Sequence, residues 1–303
     1  MIVAGAALAA ALPAEMHAQR ERDRDDYESR IDTVVPMGRG GAVELSLTSG
    51  EIRVTGSDRN EARVRAYSEH GDLRFESTGS RLQLSVRSRG GRGGRLGDTR
   101  YELTIPTGTR VIMRSISGDL AVSGVKGEVE ANSTSGDIEV IDAVERVSAE
   151  TVSGDLLVRQ VAGDLRGSTV SGEVQVRSVT GDVEVHSVSG EIELSDIHAK
   201  FVRARSTSGD IDLDGTMDSS GRYDLGSHSG SILLAIPSGT GADMSVATFS
   251  GDVDSDFQMR LEPGVHATGR PRRLEFRIGN GGARVSAETF SGSIRIVERG
   301  SPR

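Results

Sequence analysis

Apolar and polar residues alternate along most of this chain, and the alternation restarts every nine residues. In one run the apolar or glycine positions are Val179, Gly181, Val183 and Val185; in the next they are Val188, Gly190, Ile192 and Leu194. A period of two marks a strand with one buried face. His186 and Ser187 lie between the runs and shift the parity, which predicts a corner there. Two strands and two corners make one 18-residue coil. A single coil cannot bury its apolar face, but a stack of coils can.

The stack is announced by a tandem motif, [Ser/Thr]-x-Ser-Gly-[Asp/Glu]-[Ile/Leu/Val]-x-[Val/Leu]. Its glycines stand at Gly118, Gly136, Gly154, Gly172 and Gly190, a strict spacing of 18, and continue at Gly209, Gly230 and Gly251. Gly292 follows Gly251 only after a long gap, which fits two more coils, and Gly50 sits in an outlying copy. Gly127, Gly163 and Gly181 form an echo half a period away. The expected fold is all-β: a parallel β-solenoid of about 18–21 residues per coil, right-handed as parallel crossovers generally are. Glycine is unfavourable at an inward strand position, so it is expected to permit a bulge or a close approach of the two walls.

The flanks are less regular. Residues 1–18 read as a signal peptide, because Ile2 to Leu12 is an apolar run with Met16-His17-Ala18 as a cleavage site. That run is too short to span a bilayer. Residues 19–32 read as a charged linker, 33–110 as irregular β coils and a cap, 111–298 as the solenoid and 299–303 as a C-terminal tail. A cap is expected because an open terminal coil recruits other chains.

Composition sharpens this picture. Only 3% of the 303 residues are aromatic, with no Trp and no Cys. Thin coils of small branched side chains fit that count better than a compact enzyme core does. The net charge of −9 disfavours nucleic acid as a partner. Without cysteine there is neither a disulfide nor a lipid-modified Cys.

The sharpest chemical candidate is an acidic column, Asp119, Asp137, Asp155, Glu173, Glu191 and Asp210, flanked by Ser153, Ser171 and Ser189. Like charges stacked across strands repel, so a cation, an arginine or solvent must relieve them. Ca²⁺ needs six to eight oxygens, and a single glycine followed directly by Asp does not reproduce the Ca²⁺-binding nonapeptide, so solvation is the favoured reading. Thr151/Ser153 and Thr169/Ser171 lack the regular Thr-x-Thr of an ice-binding wall. His17, His70, His186, His198, His228 and His266 show no metal-ligand spacing. Ten copies of Ser-Gly-[Asp/Glu/Ser] cannot all be nucleophiles, and no nucleophile elbow is present. The Gly-rich stretch from Gly90 to Gly94 lacks the Lys of a phosphate loop; its arginines read as a solvated basic loop. No catalytic, cofactor-binding or metal-binding residue is assigned, and no cofactor is expected.

With an Ile105-Pro-Thr-Gly-Thr109 segment ahead of it, the repeated motif resembles the bacterial DUF4097 family over roughly residues 40–298. The resemblance implies a β-helical fold, an exported or envelope location, and the adhesin label that many members carry. It implies no catalytic residues. The function expected is a non-enzymatic, adhesin-like envelope or surface module. Its partner would be an unidentified envelope polymer, surface or protein. No transmembrane span is expected, and the oligomeric state stays open. The alternatives are a carbohydrate-active β-helix enzyme, similar to polysaccharide lyases, and an envelope-stress signalling accessory.

Overall fold

The computed structural model describes residues 29–88, 97–258, 260–261 and 272–299. The signal-like run, most of the charged linker, the centre of the basic loop and all of the tail but Arg299 lie outside the described residues. Everything regular in the described chain is strand. Among these residues no helix is long and apolar enough to cross a membrane.

The chain is a parallel β-solenoid with two walls. In the front wall Ser117–Val125, Ile138–Ala143, Leu156–Val161 and Val174–Val179 pair in parallel, followed by the first half of Ile192–Ser206. In the back wall Val129–Asn132, Val147–Glu150, Leu165–Ser168 and Val183–Ser187 do the same, followed by the second half of Ile192–Ser206. Each register advances by one period of the motif, so like stacks on like. Ile138, Leu156, Val174 and Ile192 form one inward column, and Val129, Val147, Leu165 and Val183 another. None is more than 2% exposed. Each fully buried aliphatic side chain contributes about 1.5–3 kcal/mol, and no coil obtains that without its neighbours.

The corners lie elsewhere than the alternation suggested. His186 and Ser187 close a back-wall strand, and the bend falls at Val188-Ser189-Gly190. The Ser-Gly-Asp/Glu motif is therefore the corner itself. Its glycine leaves room for the coil below, not for the opposite wall: a Cβ on Gly154 would strike the Gly136 carbonyl, and one on Gly172 that of Gly154. The second corner carries residues in the left-handed region, Gly124 (φ 67°), Asp142 (56°), Gln160 (56°), Ser178 (58°) and Asp196 (56°), again one period apart. Each turns the chain so that the next residue, such as Ala143 or Val161, faces inward.

The order of coils in space departs from their order in sequence at both ends. The early coil of Ala42–Ser46 and Ser49–Ser57 lies between Arg81–Ser88/Thr99–Pro106 on one side and Arg110–Arg114/Ser117–Val125 on the other. The last coil, Ala283–Ser291 and Ile294–Glu298, slips between the coil holding Ile232–Ile236 and that of Ala242–Ser250/Val253–Ser255. The segment from Gly251 to Gly292 is thus not two regular coils. It runs outward through the antiparallel strand Arg272–Ile278 and returns inside.

Antiparallel strands cap the other end. Ser29–Pro36 pairs with Glu61–Ser68, and Gly71–Thr78 with Arg81–Ser88. Ser29 to Asp32, counted with the linker in the sequence, form the first half of that edge strand. Two tyrosines fill the core where coils depart from the regular period: Tyr101 donates to the Ser46 carbonyl (3.2 Å) and Tyr223 to that of Ala199 (2.8 Å). Burial pushes both phenols above their ordinary pKa.

Candidate functional site

The acidic column forms as the sequence indicated, along the front wall, and between its first members the backbone supplies partners for the aspartates. Asp119 Oδ1 accepts the Asp137 N–H (3.0 Å), Asp137 that of Asp155 (2.8 Å), and Asp155 that of Glu173 (2.9 Å). Each aspartate caps the amide one coil up. Asp164 and Asp182 repeat the device at the other corner. Among the described residues no three His, Asp or Glu converge as a metal centre requires.

The first Ser/Thr of the motif points inward. Ser115, Ser133, Thr151, Thr169, Ser187, Ser206 and Ser227 are all buried. Ser133 donates to the Gly118 carbonyl (3.3 Å) and accepts the Gly136 N–H (3.0 Å). Thr151 and Thr169 are therefore internal ties between coils, whereas Ser153 and Ser171 face solvent.

The two outer faces differ in charge. On the front wall, from the Gly118 coil to the Gly209 coil, the first outward position is always acidic. The second adds Glu139, Glu193 and Asp212, and the third Asp214; only Arg159 and Arg177 oppose them in these columns. Burial first, then Asp212, Glu173, Asp210 and Glu193, raise the pKa of Glu191.

On the back wall charges alternate. Arg166 donates to Glu184 (3.1 Å), Arg203 contacts Glu184 (3.4 Å) and Asp224 (3.7 Å), and Arg222 donates to Asp224 (3.1 Å). The hydrogen bond from Arg166 outweighs burial and lowers the pKa of Glu184.

At the lower end of this wall lies a groove of about 740 Å³. It runs beneath Val170 and Val188 past His186, Arg205, Gly226 and Glu288. Val170 and Val188 on its rim hold the corner position between the two hydroxyl residues of the motif, a column that extends beyond the groove. Ile116, Val152, Val170 and Val188 stand there 40–55% exposed. In the last coils the same motif position carries a ring stack, His228 on Phe290 (5.0 Å) and Phe290 on Phe249 (4.7 Å).

The remaining histidines are dispersed. His186 lies 3.6 Å from Glu184, His198 3.8 Å from Asp196 and His70 3.9 Å from Glu69. His17 and His266 lie outside the described residues. The groove was missed in the sequence because Arg205 and Gly226 fall outside the motif; the lone glycine at an outward position was the available signal.

No curated protein matches this chain. Among solved structures, one described as a candidate lipid-binding protein from Parabacteroides distasonis ATCC 8503 is 14% identical. It covers 89% of this chain and 96% of that one, with a TM-score of 0.48. A candidate adhesin from Bacteroides fragilis NCTC 9343 is 13% identical, covering 89% of this chain and 97% of that one, with a TM-score of 0.44. The family model described as Toastrack DUF4097 matches residues 143–297, just over half of the sequence, and the chain belongs to that family.

Proposed function

We propose that this chain is a non-catalytic interaction module of the bacterial envelope, exported by its signal-like N-terminal run and presenting its walls to an extended partner at the cell surface. The observation that carries the reading is the translational repeat of the outer faces. From the Gly118 coil to the Gly209 coil the front wall offers a carboxylate at the same outward position, at the strand spacing of about 4.8 Å, which suits a polymer or surface more than a small substrate. Asp119, Asp137 and Asp155, three of the front-wall carboxylates that an acid–base mechanism would draw on, are instead acceptors for the next coil's amides.

Fractionation of the native host, followed by an adherence assay on cells with and without the gene, tests this. The chain is expected in the envelope or medium, with adherence reduced in its absence. A purely cytoplasmic chain overturns the reading. So does turnover of an acidic polysaccharide that is lost on Glu191→Gln, which would favour the carbohydrate-active alternative.

A further inference from the structure

We propose that the back-wall groove binds a carboxylate-bearing glycan, with Arg205 as the partner of the carboxylate; the proposal rests on the interaction-module reading and names a ligand for it. Across neighbouring strands the outward column runs His186, Arg205, Gly226, Glu288. Gly226 is the position without a side chain. Nothing there would lie closer than 4.0 Å to an added Cβ, and its φ is not positive. Neither packing nor backbone geometry calls for this glycine, unlike those at the corners. Its effect is a notch between Arg205 and Glu288.

The ion pairs around the notch leave Arg205 out. Glu184 is held by Arg166 and Arg203, Asp224 by Arg203 and Arg222, and Glu288 by Arg273 at 2.8 Å. Five guanidinium groups, counting Arg205, thus meet three carboxylates, on a chain whose net charge is −9. Arg205 is exposed and makes no ion pair or side-chain hydrogen bond with the described residues. A planar guanidinium with free donors matches a carboxylate in geometry as well as charge.

The rest of the groove suits a sugar chain. Val170 and Val188, 40% and 44% exposed, give an apolar rim for the CH face of a ring. The Ser168 and Thr207 hydroxyls are not engaged by the ladder that occupies Ser187, Ser206 and Ser227. From Ser168 to Glu288 the groove crosses five neighbouring strands, roughly 19 Å at the strand spacing. That length fits a linear oligosaccharide better than a compact headgroup.

Calorimetric titration of the full chain with an oligogalacturonate tests the assignment. A neutral gluco-oligosaccharide of equal length, inorganic phosphate and phosphatidylglycerol vesicles are titrated beside it. Binding of the oligogalacturonate is expected at low salt. Arg205→Ala and Gly226→Val, which fills the notch, should each weaken it at least tenfold, while Arg159→Ala on the front wall leaves it unchanged. Circular dichroism of each variant should match that of the parent. The assignment is overturned by no heat with the oligogalacturonate, by equal binding in Arg205→Ala, or by equal affinity for the neutral sugar. It also fails if phosphate or the vesicles bind more tightly through Arg205. Absence of glycan binding, with adherence still dependent on the gene, sinks the groove alone; adherence that does not depend on the gene sinks the broader reading.

Discussion

The Thr169 hydroxyl donates to the carbonyl oxygen of Gly154 in the coil before it, at 3.2 Å. The same hydroxyl accepts the N–H of Gly172 at 3.1 Å, so one side chain both closes its own corner and ties two coils. Both hydrogen bonds are buried. A Thr169→Val chain keeps the volume and removes the ties, leaving a buried donor and a buried acceptor unpaired. The expected cost is about 1–3 kcal/mol, read as a lower midpoint in urea. Thr169→Ser should stay close to the parent, since serine fills this position in other coils.

Gly154 and Gly226 separate two meanings of glycine in one protein. Alanine at Gly154 collides with the carbonyl of Gly136, a backbone atom fixed by the stack. The coil must shift, at a cost of about 1–3 kcal/mol, and the melting temperature should fall clearly. Alanine at Gly226 meets nothing closer than 4.0 Å and should leave stability within about 0.5 kcal/mol. Equal melting of the two variants would contradict the close-stacking account of the corner.

Glu191 and Glu184 should give opposite pH responses. The folded-state pKa of Glu191 is raised, by burial and by neighbouring carboxylates. The folded chain therefore holds this proton more tightly than the unfolded chain, and Glu191 weakens the fold at neutral pH but not below the carboxylate range. Glu184 has a lowered pKa; its contribution is present at neutral pH and is lost as pH falls through its folded value. Glu191→Gln should thus raise the melting temperature at neutral pH, and Glu184→Gln should lower it. Both differences should vanish in acid.

The inward columns were legible because Val, Ile and Leu recur at fixed spacing, and the acidic column because its members do too. The corner was misplaced slightly for a physical reason: Val188 and Gly190 continue the alternation of Ile192 and Leu194 although the chain is already bending there. The left-handed corner was hidden because its occupants, Asp142, Gln160, Ser178 and Asp196, share a conformation but not a residue type. The order of the end coils depends on which strand the edges of Ile232–Ile236 and Ser117–Val125 recruit. That is a long-range choice, which the long gap between Gly251 and Gly292 leaves open. The groove depends on an unpaired Arg205, a property of its neighbours in space rather than of its neighbours in sequence.

The intercalated C-terminus carries the last prediction. Ile294 stands between Ile232 and Val253, so the final strand is a wedge in the stack and not its end. In a solenoid built strictly in sequence order, removing the last coil leaves the one before it paired on its inner side. Here a chain ending at Gly282 lacks both Ala283–Ser291 and Ile294–Glu298. Val253–Ser255 then loses its ladder partner, and Ala242–Ser250 keeps only the antiparallel strand Arg272–Ile278. Hydrogen exchange should show the amides of residues 242–255 opening in the shortened chain, while those of residues 138–198 keep the protection of the parent. Protection retained across residues 242–255 would mean that the outer coil docks directly on Ile232–Ile236, and the wedge would then be dispensable.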